Sequence, residues 1–375
     1  MDIISLAKGG SRLHINDLPT PALIVDRGRL KDNLERMAQM ATMAGVKLRP
    51  HIKTHKSPFI AHWQRALGAE GVTVATVDEA EAMAYNGIDD VFVAYPVAEV
   101  HRANRLARLG RLARISVGID SEIGAKVLSR AAEYYGVELE VLIEIDTGLQ
   151  RSGLAKSDEA LALAKVTDKL PGLKLKGLFT HAGHAHGQDA RGREMTGKAE
   201  GEIIVEIGQS LKARGFAMEV LSTGSTPSAS IVAQVPGVTE IRPGTYVFND
   251  GSLVAPGVAT WDQCALSVLA TVVSHPTSQR YIVDTGSKSL SKDQGKGVPG
   301  FGAIKGRETT YIAWVNEEHG VIEDSSLGLS VGDKVEIIPN HACATVNLFD
   351  EYYLVEDDLV LGRIPVAARG HRHFV

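Results

Sequence analysis

From Val46 to about Phe248, short β-branched apolar runs alternate with segments whose apolar residues recur at helical spacing. Eight of the runs read as strands: 47–53, 72–77, 91–95, 115–119, 139–146, 175–181, 218–223 and 240–248. Between them, 58–67, 78–85, 97–109, 121–135, 157–170 and 193–214 read as helices. Strands that are apolar almost throughout belong to a parallel sheet covered on both faces, and eight strand–helix units predict a closed (β/α)8 barrel of the TIM type, in the α/β class. A doubly wound open sheet is the alternative, but no Gly-x-Gly-x-x-Gly follows the first strand. Ahead of the barrel, 20–26 reads as a further strand and 27–44 as an amphipathic helix. After about Ala255 the texture changes to strands without helices, at 264–274, 280–284, 310–315, 334–339, 353–355 and 359–365. The expected division is a barrel over 27–254 and a C-terminal all-β domain over 255–375, joined by the N-terminal segment 1–26.

The 375 residues suffice for one large and one smaller domain, and the two cysteines, Cys264 and Cys343, leave no disulfide framework to expect. With no signal-peptide pattern and no long apolar run, the expected location is the cytoplasm. A net charge of −5 with interspersed signs favours a small-molecule partner over nucleic acid or a membrane surface. The 38 glycines, about one residue in ten, suit the many tight corners of an α/β enzyme.

Reactive residues of such a barrel gather at the carboxyl ends of its strands. Lys53, within Arg49-Pro50-His51-Ile52-Lys53-Thr54-His55-Lys56, falls at the first of these ends; burial there would favour the neutral amine that attacks carbonyls and builds Schiff bases. Thr76 and Glu79, Asp146 to Arg151 and His181 to His186 follow other strands. The turn Ser222-Thr223-Gly224-Ser225-Thr226-Pro227-Ser228, set to start a short helix, offers hydroxyls and amides to an anion. A phosphate site beside a Schiff-base lysine points to pyridoxal phosphate. In the β domain, His341 and Cys343 would share one face of a strand and could hold a divalent ion with other positions left to water or substrate.

The octapeptide 49–56, the stretch Glu144-Ile145-Asp146-Thr147-Gly148 through Arg151-Ser152-Gly153, Thr180-His181-Ala182-Gly183, Gly224-Ser225-Thr226-Pro227, Gly244-Thr245-Tyr246-Val247-Phe248, Glu318-His319-Gly320 and Asn340-His341-Ala342-Cys343 together resemble the D-threonine aldolase and D-serine dehydratase family, which is alanine-racemase-like and of fold type III among pyridoxal phosphate enzymes. The resemblance spans nearly the whole chain. It implies that Lys53 carries the cofactor, that Gly224, Ser225, Thr226 and Tyr246 surround its phosphate, and that Arg151 lies near its ring. It implies His341 and Cys343 as metal ligands, although some aldolases of the family have aspartate where Cys343 stands. His186 matches a histidine near the substrate β-hydroxyl, with His184 as the alternative.

The resulting expectation is a lyase dependent on pyridoxal phosphate and a divalent metal, manganese or zinc with magnesium or cobalt as alternatives. It would cleave D-3-hydroxy amino acids such as D-threonine to glycine and an aldehyde, as a homodimer. Its catalytic residues would be Lys53 and His186. Dehydration of D-serine or 3-hydroxy-D-aspartate at the same site is the near alternative; a non-catalytic cofactor-binding protein and a metallohydrolase without the cofactor are further ones.

Overall fold

Branched apolar residues at alternate positions form short strands whose outward side chains meet a ring of helices, and the elements follow one another in the order the periodicity predicts. A computed structural model describes residues 13–295 and 297–370. The chain divides into two units, one of residues 36–244 and one of residues 13–35 with 245–370. In chain order the first elements are β1 (Ala22–Asp26), α1 (Arg27–Ala44), β2 (Lys47–Leu48), α2 (Pro58–Ala66), β3 (Val72–Val74), α3 (Val77–Tyr85), β4 (Asp90–Val93), α4 (Val100–Leu109), β5 (Arg114–Ile119), α5 (Glu122–Tyr135), β6 (Leu139–Ile145), α6 (Ser157–Thr167), β7 (Leu173–Thr180), α7 (Ala190–Lys212), β8 (Val220–Thr223), α8 (Ala229–Val232) and β9 (Glu240–Ile241).

Strands β2 to β9 form one parallel sheet in which β3 to β9 each pair with their sequence neighbours and β2 pairs with β9. A parallel bridge between His51 and Thr73 joins the two ends. The Glu70 and Thr73 amides donate to the Leu48 and Pro50 carbonyls there, both at 2.8 Å. That makes the sheet a closed barrel. Val91, Val93, Val117, Val141 and Ile143 face outward into a core shared with α3, α4 and α5. The helices are capped by local chemistry: Thr76 and Ser121 accept the third amide of α3 and α5, and Gly136 ends α5 in the left-handed conformation.

The barrel interior carries a different set. Phe92, Leu142 and Phe179 pack together, the two rings edge to face at 5.1 Å. Gly118 makes the room, since a Cβ there would stand 2.6 Å from Phe179 Cζ. Toward the strand N-termini the buried Arg49 donates Nε to Glu240 at 2.8 Å and Nη1 to Asp90 at 2.5 Å, so the charges are neutralised where water is excluded.

Several strands are shorter than the apolar runs imply: β3 ends at Val74, β4 at Val93, and β8 begins at Val220, while β2 and β9 are shortened most. β2 ends at Leu48 rather than reaching Lys53, and β9 ends at Ile241 rather than near Phe248. Pro50 and Pro243 supply the reason, since neither has an amide to continue a ladder.

In the other unit, β1 is followed by β10 (Leu266–Thr277), β11 (Arg280–Val283), β12 (Ala303–Ile304), β13 (Arg307–Val315), β14 (Gly320–Glu323), β15 (Lys334–Ile338), β16 (Glu351–Glu356) and β17 (Leu359–Pro365). Their order is β11-β14-β13-β12-β15-β10-β1-β16-β17, and β10 also pairs with β11. The β1–β16 pair is parallel and the others antiparallel. This is the all-β unit expected from the changed texture, with β12 and β14 added.

Candidate active site

Lys53 sits in a one-turn 3-10 helix, Ile52–Thr54, that leaves β2 through Pro50 and His51. The turn holds it half-buried at the carboxyl-end mouth of the barrel, where it lines a cavity of about 360 Å3. His51, Arg151, His181, Gly224 and Arg242 line the same cavity. It falls within the usual range for a small-molecule site.

Among the described residues no carboxylate belongs to this lining; its charged and imidazole groups are Lys53, Arg151, Arg242, His51 and His181. The cavity therefore favours an anionic occupant. Burial, and after it the nearby Lys53 and Arg242, hold the imidazoles of both His51 and His181 well below the ordinary range. Both are neutral bases at pH 7. The Lys53 amide donates to His51 Nδ1 at 3.4 Å.

Arg242 is fully enclosed two positions beyond Glu240, on the same inward face. It donates to Ser222 Oγ at 2.7 Å and to the Thr180 carbonyl, with its guanidinium 5.7 Å and 5.4 Å from the centres of Phe92 and Phe179. A buried arginine fixed on aromatic rings forms a rigid cationic floor.

The turn after β8 is built as a cradle. Gly224 has φ +91°, a conformation that side chains disfavour, and it presents bare backbone to the cavity. Ser225 is buried and its amide donates to Ser228 Oγ at 3.2 Å, while Thr226 Oγ1 accepts the Gly244 amide at 3.2 Å. The short helix α8 follows, as the hydroxyl-rich sequence implies. An anionic phosphate group fits this end of the cavity, because the glycine corner admits close approach and the charged lining is cationic.

The histidine-rich loop after β7 is only partly at the cavity. His181 lines it; His184 packs against Gly148, with its Nδ1 buried and lacking a hydrogen-bond partner; His186 closes the 3-10 turn Gly183–Ala185. His186 is close enough to depress the His181 imidazole, but it is not one of the residues lining the cavity. Arg242 and His51 were not picked out from sequence as site residues, although the period of two running from Glu240 through Arg242 to Gly244 marks Arg242 as inward-facing.

The β unit holds Tyr246, His341 and Cys343. Tyr246 is buried in the turn Thr245–Val247. His341 and Cys343 do not share a strand face, as the alternation had implied. β15 stops before Pro339, and the Asp250 carboxylate accepts the Ala342 amide at 2.8 Å, so the helical turn Ala342–Val346 begins there with His341 as its cap. The two side chains still meet: the hydrogen bond to Cys343, helped by Asp293, raises His341 to about 9. Asp293 Oδ2 lies 2.6 Å from His341 Nδ1. An imidazole and a thiol that converge, with a carboxylate on the outer ring nitrogen, are a donor set that suits a borderline-soft divalent cation. Among the described residues no three His, Cys, Asp or Glu side chains group as a metal site, so such an ion would take further ligands from elsewhere. Nor is any described helix long and apolar enough to cross a membrane.

A lysine and a cationic cavity at the mouth of a parallel barrel, with a separate antiparallel β unit, define an alanine-racemase-like enzyme of fold type III. Residues 25–251 match the family model for the alanine racemase N-terminal domain, and residues 265–355 match the putative serine dehydratase domain. The chain belongs to the D-threonine aldolase and D-serine dehydratase family. It is 36% identical over 362 residues to the D-threo-3-hydroxyaspartate dehydratase of Delftia sp. (strain HT23), covering 91% of this chain and 95% of that one. The crystal structure of D-threonine aldolase from Filomicrobium marinum superposes with a TM-score of 0.91 at 30% identity, over 98% and 100% of the two chains. A cysteine-to-alanine variant of a D-threo-3-hydroxyaspartate dehydratase in its metal-free form gives 0.88 at 33% identity, over 94% and 99%.

Proposed function

We propose that the protein is a lyase that uses pyridoxal phosphate and a divalent metal to cleave the Cα–Cβ bond of D-3-hydroxy amino acids, converting D-threonine to glycine and acetaldehyde with low side-chain specificity. The observation that carries this reading is Lys53 at a cavity whose charged lining is wholly cationic and whose floor meets the Gly224 turn. Lys53 Nζ would hold the cofactor covalently in the resting protein; with the substrate amine in the lysine's place the group would supply an electron sink for the charge left at Cα, and Lys53 would be free as an amine.

The chain's own groups divide the remaining work. Gly224, Ser225 and Thr226 would receive the phosphate, a role the family resemblance extends to Tyr246, and Arg151 would serve the ring. His51 and His181, held neutral, can accept or orient protons, and Lys53 Nζ can take or return a proton at Cα. His186, acting directly or through water, removes the β-hydroxyl proton as the carbon–carbon bond opens. His341 and Cys343 would hold the cation, a Lewis acid for that hydroxyl.

A second reading, dehydration of D-serine or 3-hydroxy-D-aspartate, is favoured by the position of His186 outside the cavity lining. With Lys53 and His181 as the bases at the cavity, removal of the Cα proton and loss of the hydroxyl would follow. Incubation with D-threonine separates the two. Glycine and acetaldehyde support the aldolase; 2-oxobutyrate and ammonia overturn it in favour of the dehydratase.

A further inference from the structure

Glu200, in the middle of α7, is completely buried; the charge of Arg242 acts on it through space, but among the described residues its hydrogen-bond donors are amides and a hydroxyl rather than a lysine or arginine. A carboxylate in such a place is costly unless donors surround it. Its donors come from the two loops that frame the cavity. Oε1 accepts the Ala182 amide at 3.1 Å and the Gly224 amide at 3.0 Å, and Oε2 accepts Ser228 Oγ at 3.4 Å. Ser228 Oγ in turn accepts the Ser225 amide at 3.2 Å.

One oxygen atom therefore joins the residue after His181 to the first residue of the glycine turn. Burial, opposed by the Gly224 and Ala182 amides, raises the Glu200 carboxyl above its ordinary range. The Gly224 amide is committed to α7, so its donor points at Glu200 and the turn's shape, rather than that amide, must serve the anion. The arrangement also sets the corner at which Gly224 has its positive φ.

We propose that Glu200 is a positioning residue for the cofactor site: by tying the His181 loop to the 224–228 turn it fixes the shape of the phosphate cradle, and with it the preference for a phosphorylated cofactor. This rests on the pyridoxal phosphate reading and extends it to a residue that touches neither cofactor nor substrate.

The test compares pyridoxal phosphate with pyridoxal, which has the same ring and aldehyde but no phosphate, as ligands of the full-length protein stripped of cofactor. Glu200→Gln keeps a carbonyl oxygen for both amides. Glu200→Asp keeps the charge but withdraws the carboxylate by one carbon–carbon bond, about 1.5 Å. Glu200→Asp, shown folded by circular dichroism and thermal melting, should lose about tenfold in its preference for pyridoxal phosphate over pyridoxal, as expected for a lost charge-assisted hydrogen bond. Glu200→Gln should stay within about threefold of the parent preference. A merely structural carboxylate would lower the melting temperature while leaving the ratio of the two affinities unchanged, and an unchanged ratio in Glu200→Asp overturns the proposal. Should the unsubstituted stripped protein bind neither ligand, the cofactor reading itself fails, and this inference with it.

Discussion

Asp293 Oδ2 stands 2.6 Å from His341 Nδ1, so the imidazole gives its outer nitrogen to a carboxylate and turns the other one away from it. That bond fixes the ring orientation and, once a metal has displaced the proton from the other nitrogen, keeps the remaining one on Nδ1, which is how outer carboxylates tune metal-binding histidines. Asp293→Asn should weaken binding of manganese or zinc by about 10- to 100-fold. Isothermal titration of the metal-stripped protein measures it, and an unchanged affinity would show that Asp293 has no part in orienting the ring.

Cys343 and Lys53 should separate the two cofactors. Cys343→Ala should keep the visible colour of the bound cofactor while losing most metal-stimulated turnover, because the residue lies in the β unit and outside the cavity lining. Chelation of the parent protein should have the same effect, reversed by adding metal. Loss of colour in Cys343→Ala would contradict that separation.

His55 gives the fold a pH dependence of definite sign. Burial, opposed by hydrogen bonds to Gln64 and Ser57, holds its imidazole at about 3, against an ordinary value of 6.5. Between those values the unfolded chain takes up a proton that the folded chain refuses. The stabilisation is thus complete above pH 6.5 and is lost as the pH falls toward 3, by about 1.4 kcal/mol per pH unit for each such group. His51 and His181 act in the same direction. Denaturant unfolding between about pH 7.5 and 5 should show this loss, with a shallower slope in His55→Asn. Equal slopes in the two proteins would remove His55 from the explanation.

Gly118 is required by the ring of Phe179. Gly118→Ala places a methyl 2.6 Å from Phe179 Cζ and should destabilise the barrel by about 1–3 kcal/mol, read as a lower melting temperature. Gly118→Ala combined with Phe179→Leu should recover part of the loss. Additive losses in the double variant would mean that the two positions do not compete for the same space.

The barrel was legible because its outward residues, such as Val91 and Val93, are branched and apolar while the intervening segments carry helical spacing and caps such as Thr76 and Ser121. Proline decided where the strands stop. Pro50 and Pro243 shorten β2 and β9, and the same kind of break at Pro339 turns the expected His341–Cys343 strand into a helical turn. Lys53 and the turn 224–226 could be found because their residue types announce chemistry at strand ends. Arg242 is marked only by its period-two spacing from Glu240, and Glu200 and Asp293 act through contacts across 24 and 48 positions of chain, a separation that no local pattern encodes. β12 and β14 were missed because each is short, and β14 follows the polar turn at Glu317-Glu318-His319.

Borohydride reduction of the purified holoenzyme, followed by proteolysis and mass spectrometry, tests the central assignment most directly. The peptide containing Lys53 should carry the mass of a reduced phosphopyridoxyl group, and Lys53→Ala protein should be colourless and unlabelled. Active protein that is colourless before reduction, or a label found on Lys56 or any lysine other than Lys53, would contradict it.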